Sequence, residues 1–133
     1  MKKKEEQEPG EWQLIHSYTR SQAIADGVLH DVTDMAREAG FTMPVAITNG
    51  VYAKCVAVPE ETTGQDEAGR LWDVLSMLRH AIRSSRGAGS SIAFAVLVCR
   101  SDNTPARQVQ LYSVCGPGDH AEPVITIMLP GED

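Results

Sequence analysis

A chain of 133 residues with 42% apolar and 23% charged side chains has enough of each for one core and one solvated skin, and it is long enough to fold without a disulfide or a metal. Twelve Lys and Arg against eighteen Asp and Glu leave a net charge of −6, a field that repels polyanions and argues against duplex nucleic acid as a partner. The longest apolar run, Ile92–Cys99, falls far short of the roughly 20 residues of a membrane helix. The basic start Lys2-Lys3-Lys4 leads into no apolar signal segment, and three cysteines, an odd number, point to reduced thiols in a cytoplasm.

Residues 1–11 are charged, end in Pro9-Gly10 and predict a mobile tail; residues 12–133 then read as a single domain. Thr19 followed by Gln22 fits a capping box, in which each side chain satisfies the other's free backbone donor. Ile24, Val28, Val32, Met35 and Ala39 recur near every fourth residue, up to a stop at Gly40. Gly27 and the β-branched Val28 and Val32 weaken the middle of that stretch. It reads equally as one rod or as two helices broken near Asp26-Gly27, the second capped by Asp31 or Thr33. Met43–Ile47 then leads into a further short helix capped by Thr48, with Val51, Tyr52, Cys55 and Val56 as its buried stripe.

Pro59–Gln65 reads as a surface loop. The clearest helix runs from about Glu67 to Arg83, with Asp66 as N-cap and Leu71, Leu75, Leu78 and Ile82 along one stripe. Trp72 and Val74 widen that stripe. After it the period changes. Ser91–Cys99 is apolar on both faces, as in a central strand covered on both sides, with a buried helix segment as the alternative. Arg107–Cys115 alternates, and Pro123–Leu129 carries Val124, Ile125 and Ile127, all strand formers. Short Gly-, Pro-, Asp- and Asn-rich connections, Arg100–Ala106 and Gly116–Glu122, favour antiparallel neighbours. The expected fold is α+β: three or four helices packed on a three-stranded antiparallel meander.

Residue chemistry is sparse. In that meander Cys99 and Cys115 lie roughly 25 Å apart along the strands, too far for a disulfide, and no CxxC or Cys/His spacing suggests zinc; the cysteines read as buried structural thiols. Arg79, Arg83 and Arg86 share a helix face and read as a solvated face complementing the helix dipole; a local phosphate-binding patch is the alternative, weakened because no aromatic residue lies between them to stack a base. The densest polar cluster is the loop Cys115–Glu122, where Asp119, His120 and Glu122 offer oxygen and nitrogen ligands on a backbone that Gly116 and Gly118 let turn sharply. The same Gly-Pro-Gly-Asp run also reads as a plain hairpin connection. His16, His30, His80 and His120 are scattered, no nucleophile elbow or phosphate loop is present, and no cofactor is expected.

Gln65-Asp66-Glu67-Ala68-Gly69-Arg70-Leu71-Trp72-Asp73-Val74-Leu75 and Cys115-Gly116-Pro117-Gly118-Asp119 with Glu122-Pro123-Val124-Ile125-Thr126-Ile127-Met128-Leu129-Pro130-Gly131-Glu132-Asp133 resemble the signature of a family of small uncharacterised bacterial proteins, a domain of unknown function, found on plasmids and other mobile DNA. Thr19–Leu29 and Asp31-Val32-Thr33 resemble its opening, so the likeness covers residues 19–133. It implies a bacterial cytoplasmic protein, an accessory of a mobile element, and it brings no activity and no catalytic residues. The first reading is a non-enzymatic module that binds another protein through one face, its acidic surface suited to a basic partner. The alternative is a small enzyme or ligand- or metal-binding protein whose site gathers Asp119, His120 and Glu122 with Arg70 or Asp73 from the long helix. An inert structural or self-assembling protein, a homo-oligomer included, stands third.

Overall fold

The computed structural model describes residues 19–58, 66–85, 89–99 and 105–132. The expected tail over residues 1–11, the Pro59–Gln65 loop, His16 and Arg86 lie outside the described residues.

Helix α1 (Arg20–Ala25) opens on the expected capping box: Gln22 N donates to Thr19 Oγ1 at 2.9 Å, and Thr19 N donates to Gln22 Oε1 at 3.0 Å. The chain then breaks at Gly27, whose φ of 79° suits glycine. Instead of one rod, a strand β1 (Leu29–Asp31) separates α1 from α2 (Thr33–Glu38). The N-cap of α2 is Val32, with no side-chain cap, rather than Asp31 or Thr33 as expected; Asp31 Oδ1 accepts from both the backbone N and the hydroxyl of Thr33, the first helical residue. Residues 45–48, expected to lead into helix, form β2 (Val45–Thr48). Thr48 keeps its expected capping role: its Oγ1 accepts from Val51 N at 3.1 Å and opens the one-turn helix α3 (Asn49–Val51), which widens into a π-helical turn over Tyr52–Val56. Val51, Cys55 and Val56 are buried there, as the expected stripe requires, with Tyr52 half-buried. Helix α4 (Glu67–Ser85) precedes three strands, β3 (Ser91–Val98), β4 (Arg107–Pro117) and β5 (Pro123–Met128).

The expected three-stranded antiparallel meander is corrected. The described strands form one five-stranded mixed sheet in the order β1-β2-β5-β4-β3, in which β3, β4 and β5 are antiparallel neighbours but β2 runs parallel to β5. A three-residue and a four-residue strand carry too little period-2 pattern to be seen in sequence. Their pairing is also non-local: Val45 lies opposite Ile125 and Ile47 opposite Ile127. The second correction concerns β3. Among the described strands it lies at the edge of the sheet, not at its centre, and its pattern of exposed and buried residues alternates.

One face of the sheet carries the main core. Leu75 and Leu78 of α4, with Ala36 of α2 and Cys55 of the π-helical turn, meet Val45, Ile47, Phe94, Val96, Leu111, Ile125 and Ile127. Burying a leucine there stabilises the fold by about 1.5–3 kcal/mol. Burial pushes the Cys55 thiol up to about 11, so it stays protonated near neutral pH and acts as packing rather than as a nucleophile. On the opposite face lie Ala46, Val124, Thr126 and Met128, and α1 covers that face beside β1 and β5: Arg20 sends its guanidinium to Thr126 Oγ1 at 2.7 Å and to the Ile125 carbonyl at 2.8 Å. No helix among the described residues is long and apolar enough to cross a membrane.

Candidate functional site

The Gly-Pro-Gly-Asp loop sits at the β4–β5 turn, where Pro117 pairs with Pro123. Both oxygens of Asp119 are engaged: Oδ1 accepts from Arg20 N at 2.8 Å and Oδ2 from Ser21 N at 3.0 Å. Asp119 therefore closes the open first turn of α1 from nearly a hundred residues away, in the role of a helix cap. Those two N–H donors hold its carboxyl below the ordinary carboxylate value. Glu122 folds back on its own loop, with Oε1 accepting from His120 N at 2.8 Å. A Cβ at Gly118 would lie 2.5 Å from Glu122 Oε2, so a larger residue there would push the Glu122 carboxylate off the loop. The left-handed residue of the turn is Ala121, with φ 67°, where the sequence suggests a glycine. Arg20 is pulled below its ordinary value by burial, opposed by the charges of Asp31, Asp119 and Glu122. The loop thus works as a staple between the β-hairpin and α1.

The sign of the Asp119 contribution sets a pH test. A carboxyl held low in the folded chain stabilises it fully above the ordinary Asp value of about 3.9, and that stabilisation is lost as pH falls through the folded value. Asp119→Asn should melt below the parent protein at pH 7, with the gap closing toward pH 3. A gap that stays constant across a pH series of melting curves would show that the charge of Asp119 plays no part.

Arg70 and Asp73 lie elsewhere. Arg70 donates to the carbonyls of Ala57, at 2.7 Å, and Cys99, tying α4 to the end of β3. Cys99 follows Val98, which pairs with Arg107 at the start of β4, whereas Asp119 follows its far end. Eleven residues of β4 separate the two places, roughly 35 Å at the usual rise. The five expected site residues are therefore split in two, Arg70 and Asp73 at one end of the sheet and Asp119, His120 and Glu122 at the other. The same separation keeps Cys99 and Cys115 apart, and no disulfide forms. Cys99 and Cys115 are half-buried, and only Cys55 is fully buried.

What Asp73 does adjoin is the free side of β3. Cys115 N donates to the Ser90 carbonyl at 2.8 Å, which with the register places Ile92, Phe94, Val96 and Val98 in hydrogen-bonded pairs with β4. Ser91, Ala93, Ala95 and Leu97 accordingly turn their N–H and C=O groups away from the sheet. Beside them runs a groove of about 490 Å³ lined by Asp73, Ser76 and Met77 of α4 and by Ala95, Leu97 and Gln108. Leu97 is 69% exposed and Met77 41%. Edge strands are normally blunted by charge, proline or brevity, and β3 has eight residues and none of these. Sequence reasoning misses this edge. Its signal is the absence of any charge in Ser91–Cys99, a pattern that double-sided burial produces equally well.

A family model described as "Family of unknown function (DUF6573)" matches residues 10–133. No curated protein and no solved structure matches the chain. The chain belongs to this family of unknown function.

Proposed function

We propose that this DUF6573 member is a non-enzymatic protein-binding module that takes up an extended segment of its partner as a sixth strand on β3. One observation carries the reading: a long, uncharged edge whose backbone groups at Ser91, Ala93, Ala95 and Leu97 have no partner strand among the described residues. Added strands gain affinity from main-chain hydrogen bonds and specificity from pockets for alternate side chains. Here Met77 and Leu97 offer apolar contact, and Asp73 sets a negative charge in the groove. With a net charge of −6, the surface favours a basic segment. The resemblance to proteins of plasmids and other mobile DNA supports a cytoplasmic bacterial accessory role, in which such a partner is a host or element protein. Both oxygens of Asp119 and one of Glu122 already serve the fold, which is why the module reading stands ahead of an enzyme at that loop.

A photo-crosslinking amino acid placed at Leu97, with a control at Val28 on the far edge of the sheet, tests this in a bacterial host. Mass spectrometry should map position-97 adducts to one Lys- or Arg-bearing segment of another protein, with few from position 28. Equal yields at both positions, or adducts only to β3 of a second copy, would contradict the proposal.

A further inference from the structure

A second surface on α4, which shares only Ser76 with the strand-edge groove, combines an exposed aromatic face with two arginines. Trp72, Ser76, Arg79 and Arg83 follow one another at steps of four, three and four, so they form a single stripe. The stripe faces the end of α2, and Glu38, Trp72, Ser76, Arg79, His80 and Arg83 line an open groove of about 240 Å³ there. Trp72 is 40% exposed and so offers its indole to a ligand. Arg79 is laid against bare backbone at Gly40, whose φ is 104° and where a Cβ would lie 2.7 Å from the Arg79 Cζ. Among the described residues Arg79 and Arg83 have no hydrogen-bond or ion-pair partner. Gly40 thus does two things: it ends α2 and makes room for a guanidinium fork that nothing in the described chain uses.

We infer that this groove binds a nucleoside di- or triphosphate. The base stacks on Trp72, Arg79 and Arg83 take the phosphates as charge-assisted donors, and the Glu38 carboxylate accepts from ribose hydroxyls. Trp72 lies ~10 Å along the helix from Arg79 and ~16 Å from Arg83, a separation that suits a base joined through ribose to a short phosphate chain and that a lone phosphate does not span. A polymer fits poorly. The net charge of −6 repels every phosphate beyond the two that the arginines neutralise, and Glu38 adds to that repulsion. The sequence argues against base stacking only in that no aromatic residue falls between the arginines. The aromatic residue is two turns upstream, on the same stripe.

The chain has two tryptophans, so the Trp12→Phe protein, checked for a parent-like circular dichroism spectrum, leaves Trp72 as sole reporter. Titrating ADP should change its emission saturably, with adenosine and pyrophosphate each binding at least about tenfold more weakly. Arg79→Gln with Arg83→Gln should weaken ADP by about tenfold or more while leaving adenosine unchanged. Trp72→Leu, followed by calorimetry, should reduce ADP to the affinity of pyrophosphate. No saturable change by about 5 mM ADP, equal affinity for ADP and either fragment, or tighter binding of an oligothymidylate would each overturn the inference. The strand-edge proposal would be untouched, since Leu97 lies outside this groove.

Discussion

Leu78→Ala is expected to lower the stability of the chain by about 2–5 kcal/mol, a large share of the about 5–15 kcal/mol that holds an ordinary domain together. Leu78 is fully buried in the middle of α4, in a cluster with Leu75, Leu111 and Ile127 drawn from the helix and two strands. Alanine is a better helix former than leucine, so the helix itself gains slightly and the whole loss comes from packing and the cavity left behind. Met77→Ala is the internal control. It is one residue away on the same helix but 41% exposed, and should shift stability by no more than about 0.5 kcal/mol. Urea unfolding of the two variants, read at equal slope, gives the comparison. Similar losses for both would show that α4 does not lie on the sheet in this register.

The second large effect separates binding from folding by one residue. In Ala95→Pro the ring replaces an N–H that points off the sheet, so no β3–β4 bond is lost, and the preceding Phe94 already has the extended backbone that proline demands. The variant should fold as the parent does while losing partner capture by at least about tenfold, because a docked strand would face a missing donor and a ring in its path. Val96→Pro removes a donor aimed at Val109 and leaves the carbonyl of that partly buried residue unpaired inside the sheet; it should destabilise the fold by about 1–3 kcal/mol. The pair is read by crosslinking yield from position 97 beside thermal melting. Binding retained in Ala95→Pro would remove strand addition as the mode.

The elements that can be seen in sequence are those whose physics is local. The leucine stripe of α4, the Thr19–Gln22 capping box and the Thr48 cap each need only residues within a few positions of one another, and the structure shows all three. β1 and β2 are hidden because three and four residues barely register a period, and because β2 is secured by pairing with Ile125–Ile127 some eighty positions away. β3 misleads for a sharper reason. Full apolarity is what burial on both faces produces, and it is equally what an edge kept ready for pairing displays. The site divides the same way. Asp119, His120 and Glu122 stand out as a cluster, yet the use of Asp119 depends on Arg20 and Ser21, nearly the whole chain away. Asp73 looks like an exposed helix flank until β3 is placed beside it. Tyr52 illustrates the limit further: its hydroxyl donates to Glu67 at 2.8 Å and its ring stacks on His30 at 4.4 Å, linking β1, the π-helical turn and α4 in a way no spacing encodes. The Glu67 bond raises the phenol above its ordinary value.

Residue-resolved amide hydrogen exchange on the isolated protein addresses the open edge directly. Protection along β3 should alternate: slow exchange at Ile92, Phe94, Val96 and Val98, whose N–H groups bond to β4, and fast exchange at Ala93, Ala95 and Leu97, whose N–H groups point off the sheet and have no partner strand among the described residues. Uniform slow exchange through Ser91–Val98 would mean that something already pairs with that edge in the free chain, and the proposed docking strand would have nowhere to bind.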